Sequence, residues 1–232
     1  MKIASILVAG AVLLTSASLW AASGREDSVE RLQASADVLH EIFGAPDKGI
    51  PGSIMDDAKC IIVVPNLVKG GFVFGAKHGR GVATCRTATG WSAPAFISVG
   101  GGSWGLQIGV QEVDLVMLVM NDRGVQHLLS SKFELSGNGA VAAGPVGRHA
   151  EAGTDWKMNA EILSYSRTKG LFAGLTLEGA VIQQDNDSTR AIYEHQPTFR
   201  SVLSGSVAIP EPAEGFLKEV TMDAVKAHED NK

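Results

Sequence analysis

The chain has 232 residues, enough for one domain with a substantial hydrophobic core, or for one domain with appendages. Its formal charge of −5, from 20 Lys and Arg against 25 Asp and Glu, argues against a general nucleic-acid binder, which needs a basic face. The 27 glycines favour an all-β or α+β protein with many turns over a helical bundle.

Residues 1–22 predict a secretory signal peptide. Lys2 supplies the positive charge, residues 3–14 are apolar, and a segment rich in small residues follows up to Ser23. We therefore expect a periplasmic or secreted protein. The alternative is a chain anchored by an uncleaved signal, because about 20 apolar residues can span a bilayer.

Apolar residues at intervals of three or four predict a helix from Glu26 to Phe43. Two strand-like segments follow, Cys60 to Val64 and a glycine-interrupted segment from Lys69 to Ala83. The sequence therefore places a helix before the first part of a sheet.

Cys60 and Cys85 lie in strand-like contexts that a hairpin would bring together. In an oxidising compartment an even pair predicts one disulfide, closing a loop of about 25 residues. Two buried free thiols are the alternative. No metal site is expected, because ligands at a matching spacing are missing.

The stretch from Pro94 to Asn121 is predicted to form the centre of the sheet. An apolar run breaks at three glycines, residues 100–102, and is followed by alternation in which Leu106, Ile108 and Val110 share one face. The apolar run from Val113 to Met120 then indicates a strand covered on both faces.

The segment Gly101-Gly102-Ser103-Trp104-Gly105 matches G-x-S-x-G, the nucleophile elbow of α/β-hydrolases. That elbow needs a helix after the serine, whereas here period-two alternation follows. We interpret the segment as a glycine-permitted turn between two strands. A serine hydrolase using Ser103, with Asp155 and His195 as partners, is the lesser hypothesis, and no enzyme is expected.

The remaining pattern predicts a mid-chain helix, a hairpin around Lys169-Gly170, a short helix and a C-terminal amphipathic helix. These elements are, in order, Asp122 to Phe133, Glu161 to Arg167 with Leu171 to Ile182, Ser188 to His195, and Pro212 to Lys226. We expect a signal peptide over 1–22, a domain over 23–200 and a C-terminal extension over 201–232.

Several motifs resemble the SYLF-domain family, a lipid-binding domain also described as actin-binding in fungal members. They are Val63-Val64-Pro65, Val68-Lys69-Gly70-Gly71-Phe72, a predicted Gly79-Arg80-Gly81-Val82 turn, Gly105-Leu106-Gln107-Ile108-Gly109 and residues 166–179. The resemblance covers about residues 28 to 195. With the helices above, it implies an α+β fold with a curved antiparallel β-sheet or partial barrel, flanked by N-terminal, mid-chain and C-terminal helices. It also implies binding of phosphoinositides or other anionic lipids, without catalysis or a cofactor.

Such binding requires cations near turns where glycine lets a phosphate approach the backbone. The candidate lipid-binding residues are Lys69, Lys77, Arg80, Arg86, Arg148, Lys157, Arg167 and Lys169. Each could instead be a solvated surface charge. Trp91 and Trp104 are candidate membrane anchors, with a buried aromatic as the alternative reading.

The leading hypothesis is non-catalytic binding of an anionic phospholipid or membrane surface at the cell envelope. In that compartment phosphatidylglycerol or cardiolipin could replace the phosphoinositide. The alternative, suggested by the acidic net charge, is a structural or protein-interaction module of the periplasm with an envelope protein as its partner.

Overall fold

The structure, a computed structural model, describes residues 3–43, 50–71, 74–104, 109–130, 132–135, 141–144, 160–168, 171–174, 177 and 179–230. The strands are β1 (Cys60–Gly71), β2 (Phe74–Thr87), β3 (Gly90–Trp91), β4 (Ala95–Trp104), β5 (Gly109–Val119), β6 (Lys132–Leu135), β7 (Val141–Ala143), β8 (Ile162–Thr168), β9 (Leu171–Gly174) and β10 (Ala180–Gln184). The α-helices are α1 (Ile3–Phe43), α2 (Gly52–Asp57), α3 (Asp122–Leu128), α4 (Asn186–Tyr193), α5 (Phe199–Leu203) and α6 (Glu214–Asp230).

The strands form one curled, half-barrel sheet in the order β6-β10-β4-β2-β1-β5-β8-β7, with β3 on β2 and β9 on β8. Among the described pairings only β7 with β8 is parallel. Helices lie at the N-terminus, in the middle and at the C-terminus. The predicted α+β fold with a curved sheet is therefore confirmed, with one parallel pair added.

The centre of the sheet is the hairpin of β1 and β2, and the prediction that residues 94–121 form the centre is wrong. That stretch supplies β4, which pairs with β2, and β5, which pairs with β1. It therefore flanks the hairpin on both sides. An apolar pattern shows that a strand is buried but does not show which strands pair with it, because pairing depends on residues distant in sequence.

A bulge in β1 explains two glycines of β2. The register of β1 shifts between Val63 and Val68, and Asn66 within it has a φ of 51°. A Cβ on Gly81 would lie 2.1 Å from the carbonyl oxygen of Val63, and one on Gly79 would lie 2.7 Å from a side chain of the bulge. The turn predicted for this Gly-Arg-Gly-Val segment is instead a strand that glycine allows to pass close to β1.

Cys60 and Cys85 are direct cross-strand partners in this hairpin, and a disulfide joins them. Both residues are buried, with exposures of 0% and 4%. The bond closes the loop of 25 residues that the sequence analysis considered, so the structure has the bridge rather than two free thiols.

The sheet buries both of its faces. Side chains alternate along each strand and cross-strand partners share a face. One face, here called the outer face, carries Val82, Phe96 and Val116 and packs under α1, where the guanidinium of Arg31 lies 5.8 Å from the Phe96 ring centroid. The other, called the inner face, includes Met117, which is also fully buried.

Two helices differ in length from the predictions. Helix α1 is continuous from Ile3, well before the predicted start at Glu26. Helix α3 ends at Leu128 because residues 132–135 form β6, while its predicted N-cap is confirmed: the Asn121 side chain accepts a hydrogen bond from the Gly124 N–H at 2.9 Å. Within the described part of the chain, no helix has both the length and the apolar character needed to cross a membrane.

The predicted hairpin over residues 161–182 is correct only in its first half. Strand β9 pairs with β8, but β10 leaves the hairpin and pairs with β4 and β6. The three glycines of residues 100–102 do not break β4 either, because a Cβ on Gly101 would lie 2.7 Å from the Gly179 carbonyl oxygen. Glycine here allows a close strand contact. Helix α5 was not predicted.

Candidate anion-binding site

The structure brings together two of the predicted lipid-binding cations, Lys69 and Lys77. They are direct cross-strand partners on β1 and β2 and lie on the inner face. They lie near one end of the four central strands. This end is here called the hairpin end, and there β1 leads into β2, β4 ends and β5 begins. The two ammonium-bearing side chains therefore start from neighbouring backbone positions on one face of the sheet.

Both lysines are partly removed from water. Lys77 is 8% exposed and Lys69 is half-buried. Burial, and then the positive charge of Lys77, lower the pKa of Lys69 to about 8. Among the described residues Lys69 has no hydrogen-bond or ion-pair partner. An anion beside Lys69 would offset both effects, since an opposite charge favours the protonated form.

Glycines and one glutamine are the neighbours of the pair along the sheet. Lys77 lies opposite Gly101 of β4, and Lys69 lies opposite Gln111 of β5. Nearer the hairpin end, Gly71 lies opposite Gly75. Lysine can hold a phosphate by charge-assisted hydrogen bonds, and glycine lets an anion approach the backbone.

Arg80 lies on the outer face, away from the lysine pair. Its Nε is 3.8 Å from Oδ2 of Asp185, and its side chain is 52% exposed. The same carboxylate accepts a hydrogen bond from Arg31 at 3.2 Å and one from the Ser188 hydroxyl at 2.8 Å. Arg80 thus belongs to an ion cluster that connects β2, α1 and the start of α4.

Arg86 and Trp91 contact each other at the opposite end of β2. The Arg86 guanidinium lies 4.6 Å from the Trp91 ring centroid and donates hydrogen bonds to the carbonyl oxygens of Ala58 at 2.8 Å and Met55 at 3.1 Å. Trp91 is half-buried against the core. These contacts hold the segment before β1 in place and lie far along the strand from Lys77.

Arg167 is held between two carboxylates. Its Nε and one terminal nitrogen donate to Asp114 Oδ2 at 3.2 and 2.9 Å, and another terminal nitrogen contacts Glu41 of α1. The side chains of Arg167 and Asp114 are only 18% and 16% exposed. This geometry ties α1 to β5 and β8, a role that the sequence did not suggest.

Three predicted cations, Arg148, Lys157 and Lys169, lie outside the described residues. Trp104 is the last residue of β4, at the hairpin end, but its side chain is not described. The candidate site therefore rests on Lys69 and Lys77, the two predicted cations that share one face.

Sequence reasoning missed Val110. Its alternation with Leu106 and Ile108 predicted an apolar face turned inward, but the Val110 side chain is 78% exposed on the outer face of the hairpin end. Leu106 and Ile108 lie outside the described residues. For Val110, the pattern does not report where the cover provided by other elements stops.

Ser103 lies within β4 opposite Gly75, not at a strand-to-helix turn, and the next described element is β5. Asp155 lies outside the described residues. His195 contacts the carbonyl oxygen of Tyr193 at 2.5 Å. Within the described ranges, no three His, Cys, Asp or Glu residues lie close enough together to bind a metal ion.

Comparison with known proteins finds one matching family model and several relatives. The Ysc84 family model, described as a Las17-binding protein and actin regulator, matches residues 100–223. An SH3 domain-containing protein of Schizosaccharomyces pombe is 39% identical over 169 residues, covering 71% of this chain and 39% of that protein.

Two further relatives cover a similar part of the chain. Protein YSC84 of Saccharomyces cerevisiae is 34% identical over 183 residues, covering 77% of this chain and 39% of that protein. The human SH3 domain-containing YSC84-like protein 1 is 33% identical over 171 residues, covering 73% of this chain and 50% of that protein. The chain therefore matches half or less of the length of these relatives.

Proposed function

Because the chain belongs to the Ysc84 (SYLF-domain) family, we propose that it is a non-catalytic binding module whose ligand is an anionic phospholipid. The observation that carries this proposal is the cross-strand pair of Lys69 and Lys77 on one face of the hairpin end. Lys69 is half-buried and lies beside the positive charge of Lys77, and both features favour a negatively charged ligand next to its ammonium group.

A phospholipid phosphate matches this pair in charge. Its phosphodiester oxygens can accept charge-assisted hydrogen bonds from a lysine ammonium group. Phosphatidylglycerol, cardiolipin and phosphoinositides share this group. We propose an oxidising compartment for the protein, periplasmic or secreted, and the disulfide of Cys60 and Cys85 supports it, since disulfides persist there.

The test is co-sedimentation with liposomes of the chain from Ser23 onward, which leaves out the apolar residues 3–14. Phosphatidylcholine vesicles are compared with vesicles that also contain phosphatidylglycerol, across a salt series. We expect binding that requires phosphatidylglycerol and weakens with salt, because salt screens exposed charges.

The matched variants are the double substitution Lys69→Gln with Lys77→Gln and, as the control, the single substitution Lys218→Gln on the exposed side of α6. We expect the double variant to bind about thirtyfold more weakly, at about 1 kcal/mol for each lysine. The Lys218→Gln control should lose no more affinity for the liposomes than the removal of one distant charge explains. Equal binding by wild type and the double variant would contradict the assignment to this pair.

A protein partner is the second candidate function. It is favoured by the description of the family as a Las17-binding protein and actin regulator. If the chain retains a defined protein partner at high salt and binds neither kind of liposome, the result would support a protein partner over the lipid.

A further inference from the structure

Strand β6 is an edge of the sheet, and it carries opposite charges two residues apart. Among the described pairings, β6 pairs only with β10. The exposed side chains of Lys132 and Glu134 lie on either side of Phe133 in the sequence. Through β10 and β4, the register places both charges on the outer face, the face of Arg80. Neither charge has an ion-pair partner among the residues that the structure describes.

The backbone groups of the two charged residues point away from β10. The Gly179 N–H donates a hydrogen bond to the carbonyl oxygen of Leu135 at 2.9 Å, so the backbone groups of Leu135 face β10. Successive residues of a strand direct their N–H and C=O groups to opposite sides. Phe133 therefore also faces β10. Lys132 and Glu134 direct their backbone groups to the open edge.

The opposite side of β10 gives the same assignment. The Asp185 N–H, directly after β10, donates to the carbonyl oxygen of Phe96 at 2.9 Å and continues the register of β10 with β4. Backbone groups at odd-numbered positions of β10 therefore bond to β4. Those of Ile182 bond to its partner Phe133, which leaves the even-numbered positions of β6 for the edge.

Two copies of β6 fit each other when they pair antiparallel about a two-fold axis at Phe133. Each Lys132 then lies opposite the Glu134 of the second copy, and the two Phe133 residues lie opposite each other. The backbone groups of each Lys–Glu pair exchange two hydrogen bonds. The Lys132 carbonyl oxygen already accepts one from the Ser130 hydroxyl at 3.2 Å, and its second lone pair can accept the new one.

The signs of the charges select this register. Charged residues on an edge strand normally keep two copies apart, because like charges oppose pairing. A shift of the register by two residues would place Lys132 opposite Lys132, or Glu134 opposite Glu134. The register centred on Phe133 instead gives two attractive pairs on the outer face. It also covers Phe133, which is half-buried against the core, with a second aromatic ring.

We infer that the protein forms a symmetric dimer by pairing the β6 strands of two copies, with Phe133 on the two-fold axis and Lys132 paired with Glu134 across it. The sheet then continues from one copy into the other. This inference goes beyond the proposed function and does not depend on the ligand, since β2 and β1, the strands of Lys77 and Lys69, lie further inside the sheet.

The test is sedimentation velocity of the full chain over a range of protein concentrations. Wild type is compared with the single charge reversals Lys132→Glu and Glu134→Lys and with the double variant that carries both. The control is Lys218→Glu on the exposed side of α6, which changes the net charge by the same amount as Lys132→Glu.

We expect a reversible equilibrium between monomer and dimer in wild type. Each single reversal turns both Lys–Glu pairs into like-charge pairs and should weaken the dimer about tenfold. The double variant restores both pairs with their signs exchanged, so its dimer should be about as stable as that of wild type. The Lys218→Glu control should also dimerise like wild type.

Amide hydrogen exchange of wild type supplies a second, direct measurement. The N–H groups of Lys132 and Glu134 should exchange more slowly at high protein concentration than at low concentration, because the second copy accepts their hydrogen bonds. Exchange at Val225, on α6, should not depend on concentration.

Three outcomes would overturn the inference. The first is a wild-type protein that stays monomeric at every concentration, with exchange at positions 132 and 134 unchanged. The second is a dimer that both single reversals leave intact, which would assign the association to another surface, such as the apolar residues 3–14. The third is a dimer that the single reversals weaken and the double variant does not restore.

Discussion

Lys69 and Lys77 place two positive charges on neighbouring backbone positions, in an environment that disfavours the charge of Lys69. Lys77 is almost fully buried, and burial together with Lys77 lowers the pKa of Lys69 to about 8. A phosphate favours the protonated form of Lys69. Lys69 is thus disfavoured in its charged form by its surroundings and favoured in a complex with an anion, which is the balance expected of a binding residue.

Lipid binding should therefore weaken as the pH rises through the pKa of Lys69. Since that pKa is about 8 in the free protein, the lysine is charged below this pH and neutral above it. We expect affinity for phosphatidylglycerol vesicles to fall about fivefold between about pH 7 and 9, which corresponds to one lysine charge. The phosphodiester stays ionised throughout, so the lipid does not contribute to this change.

Lys69→Arg is the control, because a guanidinium stays protonated over this range. Its affinity should remain level, and an equal decline in both proteins would show that another group is responsible. The pH dependence of folding stability has the opposite sign. Because the pKa of Lys69 is lowered on folding, the unfolded chain binds more protons, and this group adds stability as the pH rises from about 8 towards 10.5.

At the scale of elements, β2 depends on glycine where it passes the bulge of β1. Gly81 does not have a positive φ, so its role is steric. A Cβ there would lie 2.1 Å from the backbone oxygen of Val63, a contact that no side-chain rotation can relieve. The bulge and the glycine must therefore occur together.

Gly81→Ala should lower the free energy of unfolding by at least about 2 kcal/mol, because it overpacks the centre of the sheet. Gly102→Ala is the matched control: its Cβ would have no neighbour closer than 4.0 Å, and the change should stay within about 0.5 kcal/mol. Urea denaturation of both variants measures the difference. Equal midpoints would mean that β1 can shift to accept the methyl group.

At the scale of the whole molecule, Asp185 connects the helices to the sheet. It caps α4 by accepting a hydrogen bond from the Ser188 N–H at 3.1 Å, and it also pairs with Arg31 of α1 and lies near Arg80 of β2. Burial lowers the pKa of the Arg31 guanidinium, and Asp185 opposes that shift. With the contacts of Arg167 to Glu41, this cluster attaches α1 to the outer face.

Asp185→Ala should destabilise the protein by about 3–5 kcal/mol, because it leaves the buried Arg31 without its carboxylate. Amide hydrogen exchange should increase most in the part of α1 that packs on the sheet. Asp187→Ala, at the start of the same helix α4, removes a carboxylate that is 86% exposed and should change stability by less than about 1 kcal/mol. Similar losses in the two variants would refute the connecting role of Asp185.

The sequence by itself determined the class of fold, the approximate positions of most helices and strands, and the family, and it offered Cys60 and Cys85 as a candidate disulfide pair. These features depend on local periodicity, turn residues and motifs, and each of these is a pattern of residues close together in sequence. The sequence also identified Lys69 and Lys77 as candidate lipid-binding residues. It placed them in a larger set of cations and could not show which of those cations share a surface.

Only the tertiary structure decided which strands pair and which cations share a surface. In the structure the β1–β2 hairpin lies at the centre of the sheet, and β10 does not pair with β9. Arg80 contacts the start of α4, Arg86 contacts the segment before β1, and Arg167 contacts α1. It also left Val110 exposed. Each of these outcomes depends on contacts between residues far apart in sequence, where chain reversals and packing set the neighbours and no local pattern records them.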